Sequence, residues 1–133
     1  MRIIIMGCGR TGSRLAVMLA SAGHDVTVVD WDASAFGRLP DDFPGETVVG
    51  NAVDQDVLRS AGIEHADAFA AATSGDNRNI MAGQIAEHVF HVPRVISRIK
   101  DPIRAEIYGR LGIKVDCRTI EGAKIILDLI QSA

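Results

Sequence analysis

Cysteines, aromatic residues and long apolar runs are scarce in this sequence, and their scarcity excludes several classes of protein. The two cysteines, Cys8 and Cys117, lie too far apart to match a metal or redox motif, so we interpret them as small buried thiols. No apolar run approaches the roughly 18 residues that cross a membrane. The N-terminal apolar run leads directly into glycines instead of a signal-peptide cleavage site. These absences predict a cytoplasmic protein with no direct membrane insertion.

The chain also carries little net charge. Its 14 lysines and arginines stand against 17 acidic residues, which gives a formal net charge of −3, and no basic stripe interrupts the sequence. We therefore expect no nucleic-acid partner. Apolar residues make up 47% of the chain and charged residues 23%, a balance typical of a folded protein. The length suits a single domain that spans residues 1–133.

Short apolar runs alternate with helical patterns along the whole chain. We predict strands at 2–6, 25–30, 47–50, 66–73, 94–99 and 113–116. We predict helices at 10–23, 33–38, 55–62, 75–90, 102–112 and 119–130. The strands are apolar throughout, as in a parallel sheet covered on both faces. The pattern predicts an α/β fold with a doubly wound, Rossmann-like parallel sheet of six strands in the order 3-2-1-4-5-6.

The segment MGCGRTGSRL places a G-x-G-x-x-G motif between the first strand and the first helix. Gly7 permits a tight turn, Gly9 lets the backbone approach a pyrophosphate, and Gly12 allows close packing of the helix. The N–H groups at the start of the helix would then face an anion. Arg10 and Thr11 lie in the same loop, where Arg10 either reaches a phosphate or stays in solvent. The motif predicts a nucleotide-binding loop.

Asp30 ends the second predicted strand, 18 residues after Gly12. This spacing is close to that of the acid that binds the ribose hydroxyls in dinucleotide-binding folds. A carboxylate there repels a 2′-phosphate, and Asp32 adds to the repulsion, so NADP is disfavoured. The alternative is that Asp30 caps the next helix.

Other candidate ligand residues follow the remaining strands. Trp31 either flanks the adenine or faces solvent or a partner. Asn51 and Ala52 follow the third strand on the adenine side, and Thr73 ends the fourth strand next to the first. Arg98 ends the fifth strand, where it either reaches a phosphate or pairs with Asp76.

The sequence shows no catalytic or metal-binding set. Tyr108 is followed four residues later by Gly112, so the Tyr-x-x-x-Lys pair of short-chain reductases is absent. His88 and His91 lack a third ligand nearby. No local motif indicates a Ser-His-Asp or Cys-His set. We predict a binding protein with no catalytic residue and no metal.

Three segments resemble the N-terminal domain of Trk/Ktr-type potassium-uptake regulatory subunits, also called the RCK, KTN or TrkA-N domain. They are GNAVDQDVLRSAGI after the third strand, ATSGDNRNI at a turn into a helix, and RIKDPIRAEIYGRLG after the fifth strand. The resemblance covers nearly the whole chain. It implies a regulatory subunit that binds NAD(H) or ATP/ADP, assembles as dimers and often rings, and gates a separate potassium channel at the inner face of the membrane.

The resemblance also carries roles to individual residues. Gly7, Gly9, Arg10 and Gly12 would form the ligand loop, Asp30 would bind the ribose, Asn51 and Ala52 would lie near the adenine, and Thr73 would lie near the distal phosphates or ribose. Family members usually continue into a C-terminal ligand domain, which this chain does not include.

Three functions therefore compete. A nucleotide-sensing regulatory domain explains the binding motif without a catalyst. A small NAD-dependent oxidoreductase, or its cofactor-binding half, is the alternative, and a degenerate fold used only for assembly is the third.

The last helix is apolar around most of its girth, with Glu121, Lys124 and Asp128 as its polar residues. Because a surface helix normally keeps a polar face, we predict a homodimer built partly on residues 119–130.

Overall fold

The computed structural model describes residues 1–132, and within them six parallel strands form one sheet. The strands are β1 (Arg2–Met6), β2 (Asp25–Asp30), β3 (Glu46–Val49), β4 (Ala68–Ala71), β5 (Arg94–Arg98) and β6 (Val115–Asp116). Their order is β3-β2-β1-β4-β5-β6, with neighbours paired in parallel. The predicted fold class and strand order are confirmed.

Helices connect the strands and cover the sheet. They are α1 (Arg10–Ser21), α2 (Gln55–Ser60), α3 (Asp76–Gln84), α4 (Pro102–Arg110) and α5 (Arg118–Gln131). Two 3₁₀ helices span Ala33–Arg38 and Ile63–His65, and a π-helical turn at Ile85–Val89 extends α3. Asp54 and Asp101 cap α2 and α4 through their carboxylates, and Pro102 occupies the first turn of α4.

The core lies on both faces of β1 because alternate residues of a strand point to opposite faces. Ile3 and Ile5 pack with Val26 and Val28 under α1. Ile4 and Met6 pack with Leu58 and Phe69 on the other face, under α2 and α3. Because both faces of β1 are covered, this strand is apolar along almost its whole length. The carboxyl ends of the strands stay free to form a site.

Several predicted elements differ from the observed ones at their ends: β6 spans only Val115–Asp116 where we predicted 113–116, and the helix predicted at 33–38 is a 3₁₀ helix. We predicted a strand at 66–73, but β4 is shorter because side chains take up the backbone N–H groups at both margins of the sheet. Asp67 accepts from the N–H of Arg2, and Asn79 accepts from the N–H of Thr73. We predicted a helix at 75–90, and its last turn is π-helical, with the N–H of Phe90 bonded to the carbonyl of Ile85.

Helix α5 makes little contact with the rest of the domain beyond its first turn. Ile120 packs against the small cluster of Ile99, Ala105 and Cys117. Farther along, the apolar side chains have exposed fractions between 52% and 76%, namely Ile125, Ile126, Leu127, Leu129 and Ile130. No helix in residues 1–132 is long and apolar enough to cross a membrane.

Candidate functional site

A cavity of about 750 Å³ opens where the carboxyl ends of the strands meet. The switch point of a doubly wound sheet creates such a crevice because the connections on its two sides run in opposite directions. The cavity collects the candidate residues named from the sequence, with Gly12 standing apart from its lining: Gly7, Gly9, Arg10, Thr11, Asp30, Trp31, Asn51, Ala52, Thr73 and Arg98.

The glycine loop has a conformation that suits its three glycines differently. Gly7 has φ +103°, a region that favours glycine, and its N–H donates to the carbonyl of Val29 at 2.8 Å. A Cβ on Gly9 would meet nothing within 4 Å, so the backbone there is open toward the cavity. A Cβ on Gly12 would overlap the carbonyl oxygen of Gly7. Gly9 therefore leaves space for a ligand, and Gly12 leaves space for the loop itself.

Asp30 holds the glycine loop. One carboxylate oxygen accepts from the N–H of Cys8 at 2.8 Å, and the other accepts from the N–H of Asp32 at 2.9 Å. Each oxygen keeps a further lone pair for a ligand hydroxyl. Asp30 does not cap the next helix, because Asp32 accepts from the N–H and hydroxyl of Ser34 there.

The two groups bonded to Asp30 belong to residues whose side chains have shifted pKa values, Asp32 and Cys8. The hydroxyl and then the N–H of Ser34 lower the pKa of Asp32, so this exposed carboxylate stays ionised near the Asp30 side chain. Burial raises the pKa of the Cys8 thiol, the carboxylate of Asp30 raises it further, and Arg38 opposes the increase. A protonated, buried thiol is a packing group and a poor nucleophile.

Asn79 ties together the two strands on the far side of the switch point. Its side chain is fully buried, and its Oδ1 accepts from the N–H and the hydroxyl of Thr73 at 3.0 and 2.6 Å. Its Nδ2 donates to the carbonyls of Thr73 and Arg98, both at 2.9 Å. All of these partners lie at the carboxyl ends of β4 and β5, so Asn79 fixes the distal wall of the cavity. Sequence reasoning missed this residue.

Arg98 does not pair with Asp76, which corrects one of the two readings of that arginine. Asp76 instead accepts from the N–H groups of Lys100 and Asp101 at 2.8 and 3.2 Å. The Nε of Arg98 is buried without a partner among residues 1–132, and its side chain lines the cavity. An unpaired buried donor favours an acceptor brought by a ligand.

The cavity is strongly basic although the chain is acidic overall. Six cationic side chains line it: Arg10, Arg38, Arg78, Arg98, Lys100 and Arg118. Four of them were missed as site residues. Lys100 and Arg118 follow the carboxyl ends of β5 and β6, a position from which a site residue can be predicted. Arg38 and Arg78 do not follow a strand, and they line the cavity only because of the direction of their side chains. Such a lining attracts polyanions because its charges add at short range.

No group of three His, Cys, Asp or Glu side chains in the described part of the chain is arranged to hold a metal ion. The strand order, the glycine loop opening α1 and the acid at the end of β2 define a Rossmann-like domain of the nucleotide-binding class.

Comparison with known proteins identifies the family. The TrkA-N domain matches residues 3–117, so the chain belongs to the TrkA-N domain family. The Trk system potassium uptake protein TrkA of Streptomyces coelicolor is 56% identical over 113 residues, which is 85% of this chain and 51% of that protein. The chain therefore spans about half the length of this relative.

Solved structures share the fold. The TrkA-N domain of inner membrane protein ybaL from Escherichia coli has a TM-score of 0.86 at 19% identity and matches 98% of this chain and 96% of that one. A structure of GsuK bound to ADP has a TM-score of 0.79 at 25% identity, over 98% of this chain and 34% of that one. The expected membership of the RCK and TrkA-N group is confirmed.

Proposed function

We propose that this domain is a regulatory module that binds an adenine nucleotide and, through that ligand, controls a potassium-uptake channel. The observation that carries the proposal is that one carboxylate at the end of β2, Asp30, lines the same cavity as six cationic side chains. A carboxylate at the end of β2 accepts from the hydroxyls of a ribose. The N–H groups at the start of α1 and the surrounding cations complement phosphates.

The ligand is NAD(H) or ATP/ADP under this proposal. Both carry an adenosine with free ribose hydroxyls and at least two linked phosphates. The GsuK structure with bound ADP supports an adenine nucleotide in this fold. NADP is disfavoured because its 2′-phosphate would meet the carboxylates of Asp30 and Asp32.

Calorimetric titration of the purified domain with AMP, ADP, ATP, NAD, NADH and NADP tests the ligand class. We expect at least one adenine nucleotide to bind with micromolar affinity and NADP to bind at least about tenfold more weakly than NAD. Equal affinities for NAD and NADP would contradict the role given to Asp30. Absence of binding by the whole series would leave only the assembly function.

The alternative of an NAD-dependent oxidoreductase requires a group that exchanges a proton with substrate. The hydroxyl of Thr73 lies in the cavity but donates to Asn79, which leaves it without a base. We therefore infer that the domain binds and does not catalyse. Steady oxidation of NADH in the presence of common ketones or aldehydes would favour the enzyme.

The partner under this proposal is a membrane potassium channel subunit, and the domain acts in the cytoplasm at the inner face of the membrane. Support comes from the S. coelicolor relative, which is a Trk system potassium uptake protein. The domain would join the membrane through this partner. Nucleotide binding at the switch point would change the surface that the domain presents.

We also propose a homodimer in which α5 of a second copy lies in a groove beside α1. The groove has a volume of about 620 Å³ and lies between α1 and the uncovered face of β4 and β5. Leu15, Met18 and Ile96 make its floor apolar. Four arginines and one aspartate give it a positive charge, namely Arg10, Arg14, Arg98, Arg118 and Asp116. Beyond Lys124, α5 exposes five large apolar side chains and one carboxylate, Asp128, so this part of the helix complements the groove in both apolar surface and charge.

The double substitution Ile125→Asp, Leu129→Asp tests this contact. The two residues lie one turn apart on α5 and are 59% and 69% exposed in one chain, so the variant is expected to fold. We expect the wild type to sediment as a dimer at micromolar concentration and the variant to sediment as a monomer, because the variant loses two large apolar side chains that would cover the apolar floor of the groove.

Ile103→Asp, Ile107→Asp on α4 is the matched control, since these residues are also exposed and one turn apart. The control should retain the dimer. A monomeric wild type, or an α5 variant as dimeric as the wild type, would remove α5 from the interface.

A further inference from the structure

Two residues that line the cavity form a cation–π pair. The guanidinium carbon of Arg78 lies 4.8 Å from the centroid of the Trp31 ring. Trp31 directly follows β2, and Arg78 lies in the first turn of α3, so the pair joins the two halves of the doubly wound sheet. Both side chains line the cavity. The pair therefore connects two walls of the cavity.

Neither side chain is held in place by another strong interaction. Trp31 is 69% exposed, and Arg78 makes no ion pair among residues 1–132. A Cβ on Gly75 would stand 3.2 Å from the Nε of Arg78, so glycine at this position allows the arginine to fold back toward the cavity. The pair is therefore free to separate by rotation of the arginine side chain.

The position of the pair indicates which part of a nucleotide it meets. Trp31 is adjacent to Asp30, the proposed ribose acceptor, whereas the phosphates are expected at the start of α1 near Gly9. In a nucleotide the base and the phosphates leave the ribose at opposite ends. A base attached to a ribose held by Asp30 would thus lie beside Trp31.

We propose that Trp31 and Arg78 form a clamp that takes the adenine between the indole and the guanidinium plane. This inference rests on the proposed binding of an adenine nucleotide. In the structure the guanidinium of Arg78 lies over the Trp31 ring, and the base would replace that contact with one stack on each of its faces. Bases stack on tryptophan and on arginine planes because both present flat, polarisable surfaces. The clamp would make Arg78 a residue that recognises the base, and the other cations would meet the phosphates.

The fluorescence of the clamp residue reports on this directly, because Trp31 is the only tryptophan of the chain. We expect ADP to change the emission of Trp31 with a dependence on concentration that matches calorimetry. Inorganic tripolyphosphate, which has no base, should leave the emission nearly unchanged. An equal response to both compounds would place phosphate, and not adenine, at the clamp.

Substitutions then separate a base contact from a phosphate contact. Arg78→Ala should weaken AMP, ADP and ATP by a similar factor of about three to ten, because each has the same base. Trp31→Ala should have at least as large an effect, and Trp31→Phe should retain most of the affinity. An Arg78→Ala effect that grows with each added phosphate would overturn the clamp.

Arg59→Ala is the matched control, since the guanidinium of Arg59 lies 5.3 Å from the ring centroid of Phe90, away from the cavity. It removes the same kind of pair and should leave nucleotide affinity unchanged. Failure of the wild type to bind any adenine nucleotide would reject the proposed function together with the clamp. Normal binding by both Arg78→Ala and Trp31→Ala would reject the clamp alone.

Discussion

Gly12→Ala is expected to lower the free energy of unfolding by about 3 kcal/mol or more, a large share of the 5–15 kcal/mol typical of a domain. A Cβ on Gly12 would overlap the carbonyl oxygen of Gly7 and stand 2.9 Å from its carbonyl carbon. Neither atom can move freely, because the N–H of Gly7 is bonded to the carbonyl of Val29 and the backbone of Gly7 is fixed in a left-handed turn at φ +103°. The loop would have to move away from the end of β1, and α1 would lose its close packing against the strand.

Thermal unfolding followed by circular dichroism measures this effect, which should lower Tm by about 10 °C or more. Gly9→Ala is the control in the same loop. Gly9 has φ −82°, and a Cβ there would meet nothing within 4 Å, so the fold should keep its stability. The added methyl group would point into the space expected for phosphates, so Gly9→Ala should lose nucleotide affinity without losing stability. A stable Gly12→Ala protein would show that the loop relaxes more easily than its contacts indicate.

Asp30→Ala is expected to weaken adenine nucleotides about ten- to a hundredfold. A charge-assisted hydrogen bond contributes about 1.5–3 kcal/mol, which converts to this range. The substitution also frees the N–H of Cys8, which Asp30 holds at 2.8 Å, so the loop loses part of its fixed geometry. Both effects act in the same direction on affinity.

Calorimetry on Asp30→Ala and Asp32→Ala distinguishes the loss of a hydrogen bond to the ribose from the loss of one negative charge near the site. Asp32 is an exposed neighbour that caps the 3₁₀ helix and has no bond to the loop, so its loss should change the affinity for NAD by less than about threefold. Removal of either carboxylate should reduce the discrimination against NADP. An Asp30→Ala protein that binds NAD as tightly as the wild type would exclude the ribose role. Circular dichroism verifies that both variants fold.

The strand order could be predicted because it depends on features that a sequence displays directly. Apolar runs separated by helical patterns predict parallel strands, and β1 and β2 begin and end where their runs do. The glycine loop marks the first strand and so the switch point. The margins of β4 could not be predicted, because they depend on Asp67 and Asn79 taking up backbone N–H groups of the sheet.

The candidate site was only partly predictable for a similar reason. Glycines and strand-end residues are placed by the backbone, so Gly9, Asp30 and Thr73 reach the cavity as the pattern predicts. Arg78 reaches it because its side chain lies over the Trp31 ring, and Asn79 matters because its amide faces two carbonyls. Neither side-chain orientation can be predicted from the spacing or composition of the sequence.

Arg10, Arg98 and Arg118 line both the nucleotide cavity and the groove proposed for the second copy. These three arginines lie between the two proposed binding sites. A phosphate in the cavity and a carboxylate in the groove would therefore interact with the same guanidinium groups. If the domain dimerises through this groove, linkage requires that each bound nucleotide changes the dimer dissociation constant by the factor by which dimerisation changes the affinity of that site for nucleotide. The nucleotide concentration at half-saturation would consequently vary with the concentration of the protein itself, so that the number of copies in the cell sets the sensitivity of the sensor.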